Sequence, residues 1–476
     1  MKRLFIIFAM LLSYGAFSQV IQWGQDYEPE DDGSIYNYVG SIGETQYYSF
    51  GYQTTAFVRR FNRVGLMSVT KNNVKTYNPE YFKIPLFSLI KTVPTSNEIA
   101  IIYSEENKDI DKNQVKCKLI DKNTLLEKSE KVLLAFNHTR RDDPKINLYI
   151  SKDKSKYVIT YMNVNSKTDE GYYSINVYDK DFNKIWDKRY STENEGTVYF
   201  MDVAVNNNGD VFLLTKIKTK EDKTYLSKLN DEEITEYYIS DKITLEDSKL
   251  HLIDDDNVFV GNNSEGKFSG YTFKLSTEEI TNTASFEYKK EKGTLWVIKD
   301  ILTLENGNIV AIVQDAYLYI YETTKTPPTY TYFNRSFYAL CINPNQSNLV
   351  YNQLVSKATR YFNRWQIEYG QFERPLFFTK GNDFYAIYNT DKDDNDLSGE
   401  VFIETNITFP KGKKVVVTNL MKISPEGKPT LKTLFSKKES QAYFSENLSF
   451  MDEQGNIVLG RFKGDILNFG TMKINN

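Results

Sequence analysis

A short polar turn followed by an apolar-rich run recurs at seven places along the chain: "SNEIAIIYS", "KDKSKYVITYM", "NNNGDVFLLTK", "DDDNVFVGN", "ENGNIVAIVQ", "KGNDFYAIYN" and "EQGNIVLGRF". The last polar residues of these turns are Glu98, Lys156, Asp210, Asn257, Asn308, Asp383 and Asn456, at intervals of 58, 54, 47, 51, 75 and 73 residues. A self-similar period in this range is the mark of solenoids, propellers or arrays. The runs are short, rich in Val, Ile, Phe and Tyr, and bounded by Asn, Asp and Gly, which predicts strands and leaves no helical period. One unit displays four strands, "TVYFMDVAV", "DVFLLTKIK", "TYLSKLN" and "EITEYYIS". Four strands in about fifty residues predict an all-β fold, a single β-propeller of four-stranded blades. Seven copies predict seven blades. Strand-like "QYYSFGY", "AFVRRF" and "GLMSVT" between residues 46 and 70 are surplus. They either complete the final blade, closing the ring against the terminal strand "ILNFGTMKI", or make an eighth blade. Closure by N-terminal strands removes open edges that would otherwise recruit other chains.

The two long intervals place insertions in the last blades, at about 316–375 and 390–412. The domain expected is 19–476, because residues 1–18 read as a leader. Lys2 and Arg3 precede an apolar run from Leu4 to Leu12, and Ala16-Phe17-Ser18 precedes Gln19. That is the pattern of a cleaved secretory signal, with a run too short to span a bilayer. No Cys follows it to carry a lipid, and no later segment reads as transmembrane. The expected location is therefore beyond the inner membrane: periplasmic, with outer-membrane association possible and a surface or secreted place the lesser alternative. With 59 basic and 63 acidic residues and no basic block, the electrostatic footprint of a nucleic-acid binder is missing. Cys117 and Cys341 fall in different repeat units and are expected to be unbridged, since a disulfide needs close Cα atoms.

The stretch "SINVYDKDFNKIWDKRYS" sets Asp179, Asp181, Asn183 and Asp187 at positions 1, 3, 5 and 9 of a run. That spacing suits a calcium ion, but the Gly of a calcium loop is missing. Ile175 and Val177 alternate on one side and Trp186, Lys188 and Tyr190 on the other, which predicts a turn between two outer strands. The stretch resembles the Asp box of sialidase-type propellers, Ser-x-Asp-x-Gly-x-x-Trp, with Asp181 and Trp186 matching, Asp179 in place of Ser and Asn183 in place of Gly. The resemblance implies a hairpin device and carries no activity. "DKDDNDLSGE" repeats the spacing with Asp391, Asp393 and Asn395 and is expected to be a solvated loop. "GNIVLGRFKGDILNFGTMKI" resembles single bacterial β-propeller repeats of the form GNxxxxGxFxGxxxFG. A leader ending before Gln and a Lys-, Asn- and Tyr-rich chain resemble exported Bacteroidota proteins.

Catalytic chemistry is thin. His138 and His251 are the only histidines, and both read as structural. No nucleophile elbow, metalloprotease helix or phosphate loop occurs, and scattered Cys and His make no zinc site. No metal, cofactor or catalytic residue is expected, so the chain is read as a non-enzyme. The feature that breaks the blade rhythm is "TRYFNRWQIEYGQFERP", with Arg360, Tyr361, Phe362, Arg364, Trp365, Tyr369, Phe372 and Arg374. Aromatics mixed with Arg are the composition of interface hot spots, and packing of a long blade hairpin is the other use of the same rings. The expected function is a protein-binding or scaffolding subunit whose partner is another envelope protein. The chain ends inside its last blade without the C-terminal sorting domain of the type IX system, which suggests an accessory component of an outer-membrane complex such as that machinery. The rival is a glycan-binding or glycan-cleaving propeller that uses its central cavity and a carboxylate pair.

Overall fold

The computed structural model describes residues 21–29, 35–51, 64–82, 84, 89–137, 146–164, 171–190, 197–218, 223–240, 243, 247–264, 266–288, 294–323, 326–346, 348–361, 375–390, 417–435, 442–463 and 466–474. Every named element among them is a β-strand. The strands form eight four-stranded antiparallel sheets. Seven are sequential meanders spanning Ile35–Phe82, Leu89–Asn137, Ile146–Tyr190, Thr197–Ser240, Ser248–Glu287, Thr294–Tyr361 and Leu376–Phe435. The eighth joins Ala442–Met451, Asn456–Lys463 and Ile466–Lys473 to the N-terminal strand Ile21–Trp23. The first strand of each blade is innermost, and these strands touch their neighbours all round, blade eight against blade one included. The chain is an eight-bladed β-propeller, the larger of the two counts that the repeat pattern allows.

The eighth unit hides in blade one. Its first hairpin turns on Gly43 and Glu44 alone, between Ile42 and Thr45, so it lacks the Asn/Asp cluster that marks the other units. Residues 46–70 therefore do not complete the last blade. They supply the second and third strands of blade one, Thr45–Gly51 and Val64–Thr70. Among the described residues closure falls to Ile21–Trp23, continued by the Gly24 N–H to the Phe469 carbonyl and by a bridge between Tyr27 and Leu467.

Packing explains the sequence signature. The buried apolar side chains form eight clusters, one at each blade–blade interface. Second strands feed two of them at once. Ile99 and Ile101 face blade one while Ala100 and Ile102 face blade three. Ile309, Ala311 and Val313 face blade five while Val310 and Ile312 face blade seven. A strand buried on both faces reads as a continuous apolar run, which is why these segments stand out.

The "GNIVLGRF…FGTM" stretch is the hairpin between the second and third strands of blade eight. Phe462 and Phe469 pack against blade one. Gly470 lets the closing strand approach, since a Cβ there would lie 2.5 Å from the Trp23 ring. The closing strand pairs Ile21 with Met472 and Trp23 with Gly470. The Arg461 guanidinium stacks on the Trp23 ring, 3.6 Å from its centre, and Arg461 Nε donates to Asn468 Oδ1 at 3.0 Å. Blade one also holds the strand. Asn72 Nδ2 donates to the Gln22 carbonyl at 2.8 Å, and Asn73 Oδ1 accepts from the Gln25 N–H at 2.8 Å.

A short run of pairs, Ile21–Trp23 and the bridge at Tyr27, holds the ring closed among the described residues, so the Trp23 side chain is expected to matter beyond its size. Trp23→Ala should destabilise the fold by about 3 kcal/mol, near the low end for a truncated aromatic core residue because Trp23 is half-buried. Chemical denaturation of the variant checks this, and an unchanged midpoint would show that the strand does not latch the ring.

Candidate functional site

The ring has two unlike ends. At one end lie the turns that join first to second and third to fourth strands, none longer than six residues. They are tied together. The Asp153 N–H donates to Asn207 Oδ1 at 3.2 Å, and the Asn306 N–H to Asn382 Oδ1 at 2.8 Å. Many are Asx turns, in which a side-chain oxygen replaces a backbone acceptor. In blade eight, Asp452 Oδ1 accepts the N–H groups of Gln454 and Asn456 at 2.9 and 2.8 Å.

The Asp179 hairpin belongs to this end. It joins the third and outermost strands of blade three, Gly171–Asp179 and Lys184–Tyr190. Asp179 Oδ1 accepts the Asp181 and Asn183 N–H groups at 2.9 Å each, and Oδ2 accepts Asn183 Nδ2 at 3.0 Å. Burial pushes its carboxyl up, but these hydrogen bonds outweigh burial and hold it below the usual range. Trp186 is buried in the interface with blade four. Phe182 carries a positive φ, 57°, one residue before Asn183, the position aligned with the Asp-box Gly. Asp391, Asp393, Asn395 and His138 lie outside the described residues.

At the opposite end lie the connections from second to third strands and from each blade to the next. The two longest, 391–416 and 362–375, both leave from strand ends here. The expected interface segment starts at this end. Arg360 and Tyr361 close the outermost strand of blade six, paired with Phe333 and Tyr332. Phe362, Arg364, Trp365, Tyr369, Phe372 and Arg374 lie outside the described residues.

A polar arc lines the innermost strands, and the sequence reading missed it. Lys91, Asn147, Asp202, Lys249 and Asp300 hold one register position in blades two to six, opposite Ile102, Thr160, Leu214, Gly261 and Ile312. Bulges precede Lys91, Asp202 and Asp300. The signal was present: each is a polar residue three positions before the last paired residue of its strand. Asp202 Oδ2 accepts the Leu250 N–H of blade five at 2.8 Å, and Asp247 Oδ2 accepts the Ile298 N–H of blade six. These carboxylates satisfy the unpaired edge of the next innermost strand. Asp300 Oδ1 accepts only the adjoining Ile301 N–H, at 2.9 Å. Burial pushes all three carboxyls up, opposed by backbone hydrogen bonds and the nearby Lys249 charge. Asp300 keeps exposed surface, yet the protein around it still pushes its carboxyl up. Rings near the arc are engaged with one another. Trp296 stacks on Tyr288 at 4.8 Å, and both meet Tyr338.

His251 is structural in this setting. Its Nε2 meets Thr303 Oγ1 at 2.6 Å, and burial, then the Lys152 charge, depresses its pKa to about 4. Cys117 and Cys341 are free and buried, and burial pushes each thiol up to about 12. Among the described residues no group of three or more His, Cys, Asp or Glu is placed to hold a metal, and no helix is long and apolar enough to cross a membrane.

A carboxyl raised by folding binds extra protons in the native state, so its contribution falls as pH rises through the carboxylate range. Asp202→Asn keeps the acceptor for the Leu250 N–H and removes that cost. Its unfolding midpoint should exceed the parent's at pH 7 and equal it at pH 3; a lower midpoint at pH 7 would contradict this. His251 has the opposite sign: its depressed pKa makes stability fall as pH drops from about 6.5 to about 4, a loss that His251→Gln should lack. Chelation should leave the melting temperature unchanged, because Asp179 is committed to its own turn. A loss on the order of 2.7 kcal/mol, as for an ion at a hundredfold excess over its dissociation constant, would show a bound metal.

No family model and no curated protein matches the chain. Solved structures do. The WD40 domain of SCAP from fission yeast is 8% identical, with 96% of each chain covered and a TM-score of 0.38. The β-propeller domain of the Trilobed protease from Pyrococcus furiosus, described as having an open velcro topology, is 9% identical over 68% of this chain and 94% of that one, with a TM-score of 0.32. A protein of unknown function from Bacteroides caccae is 12% identical over 72% of this chain and 96% of that one, with a TM-score of 0.30. At such identities and scores the overlaps carry no functional argument, and the β-propeller assignment rests on the sheets themselves.

Proposed function

We propose that this chain is an exported, non-enzymatic propeller that binds another envelope protein through the end of the ring bearing the long connections. One observation carries the reading: the connections 362–375 and 391–416 leave from the same end of a rigid ring, while the turns of the other end are tied to one another. Variable loops on a rigid scaffold are where propellers and other repeat folds place recognition. The aromatic and basic residues from Phe362 to Arg374 fall in the first of those connections, and Arg360 and Tyr361 end the strand that leads into it. The leader expected over residues 1–18 puts the protein in the periplasm. The resemblance to exported Bacteroidota proteins makes an accessory subunit of an outer-membrane complex, such as the type IX secretion machinery, the concrete candidate.

A glycan-binding or glycan-cleaving propeller is the second reading, favoured by three carboxylates on or beside the innermost strands, Asp202, Asp247 and Asp300. All three accept a backbone N–H, Asp202 and Asp247 from the next blade and Asp300 from the adjoining residue, and the neighbouring rings pack on each other, which favours the protein partner.

Trp365→Ala should weaken capture of the partner by at least ~2 kcal/mol, about thirtyfold, with the melting temperature unchanged. Co-purification from the native envelope, beside a thermal melt, checks both. A destabilised protein, down by about 3–5 kcal/mol as for a buried aromatic, that still captures its partner would assign Trp365 to packing.

A further inference from the structure

Arg461 lies near the end of the second strand of blade eight, Asn456–Lys463, at the end of the ring that carries the long connections. It alternates on one face with Ile457 and Leu459, which pack in the interface with blade seven. Its guanidinium stands over two rings of that interface, 3.6 Å from the centre of Trp23 and 5.5 Å from that of Phe435. The two rings are tilted by 42° with their centres 5.4 Å apart. Phe435 ends the outermost strand of blade seven, so the three side chains meet in the cleft between blades seven and eight. Nε is fixed by Asn468, whose Nδ2 in turn donates to the Gly24 carbonyl at 3.0 Å.

The face of this guanidinium is used and its terminal edge is not. Among the described residues the terminal nitrogens have no hydrogen-bond acceptor, and no carboxylate forms an ion pair with them. Asp26 is exposed and acts only through its charge, which opposes the lowering of the Arg461 pKa by burial. Arg stays ionised in proteins. Withdrawing a charge from water is costly unless it is paired, and stacking on rings returns only part of that cost. The unused donors form a planar fork. Asn468 and the two rings already orient it, which removes much of the ordering that binding otherwise requires.

We propose that Arg461, seated on the Trp23 and Phe435 rings in the cleft between blades seven and eight, is a carboxylate-recognition site. Its terminal N–H groups take the two oxygens of the ligand through charge-assisted hydrogen bonds. One guanidinium balances one carboxylate. A phosphate brings about −1.5 to −2 charges near pH 7 and would meet a single cation whose neighbour Asp26 is itself an anion. A free organic acid and an acidic side chain or chain end of another protein share this chemistry. The inference goes beyond the protein-binding reading and does not depend on it.

Indole N–H spectra of the full chain with labelled tryptophan test it, the Trp23 signal being the one that Trp23→Phe removes. Propionate, titrated at constant ionic strength, should move that signal saturably, and propionamide, its neutral counterpart of the same shape, should leave it in place. Arg461→Lys keeps the charge and loses the fork, so it should weaken propionate binding about tenfold. The comparison of propionate, propionamide and phosphate on the parent chain needs no variant and stands even where Arg461→Lys fails to fold. A Trp23 signal that ignores propionate, or follows propionamide equally, would overturn the proposal. Tighter binding of phosphate would overturn the carboxylate class, and a folded Arg461→Lys that binds propionate like the parent would move the site away from Arg461. Propionate that also displaces a partner captured from the envelope assigns the carboxylate to that partner. A captured complex in which the Trp23 signal still answers to propionate assigns it to a free acid. Failure to capture any partner would remove the protein-binding reading and leave the titration of the parent chain to decide this site.

Discussion

No blade of this protein can bury its own core. Each second strand carries apolar side chains on both faces, and each face is covered only by a neighbouring blade. Val211 and Leu213 belong to the interface with blade three, while Phe212 and Leu214 belong to that with blade five. A row of such blades leaves two apolar faces bare at its ends, and closing the ring is the one arrangement that buries them all. Everything else follows from that constraint: the innermost strands parallel around an axis, the alternation of ends, and the need for a latch between the last blade and the first.

The latch is small and its chemistry is correspondingly dense. The strand Ile21–Trp23 fills the outermost place of blade eight, with the Trp23 and Phe435 rings tilted against each other and the Arg461 guanidinium over both. Asn72 ties it to a turn of blade one through the Gln22 carbonyl and the Thr471 hydroxyl. The ring also leaves eight innermost edges facing the axis. Asp202 and Asp247 each satisfy an N–H on the next blade's edge, which gives these carboxylates a part in joining the blades. Turns tied to one another at one end, and the longest intervals between described strands at the other, give the molecule two unlike ends.

Much of this was legible in the sequence, for a physical reason. Strands buried on both faces must be apolar throughout, and Asn/Asp turns must follow them at constant spacing, so seven units announce themselves. Blade one escaped because its Gly43–Glu44 turn needs no Asx cluster. The long interval of the sixth unit is partly strand, not loop, since pairing continues to Thr323 and Thr326. The polar arc escaped because a single Asp in "TVYFMDVAV" looks like an ordinary strand until blades are aligned on their turns. The free, buried state of Cys117 and Cys341 follows from their places, in the interfaces between blades two and three and between blades six and seven. The interface residues from Phe362 to Arg374 were chosen on composition, and no periodicity constrains them.

Native-state amide exchange across the eight second strands tests closure most directly. A closed ring is one cooperative unit, so the second strands of blades one and eight should be protected as strongly as that of blade four. Markedly faster exchange in blades one and eight would show that the ring opens at Ile21–Trp23 and would contradict the account.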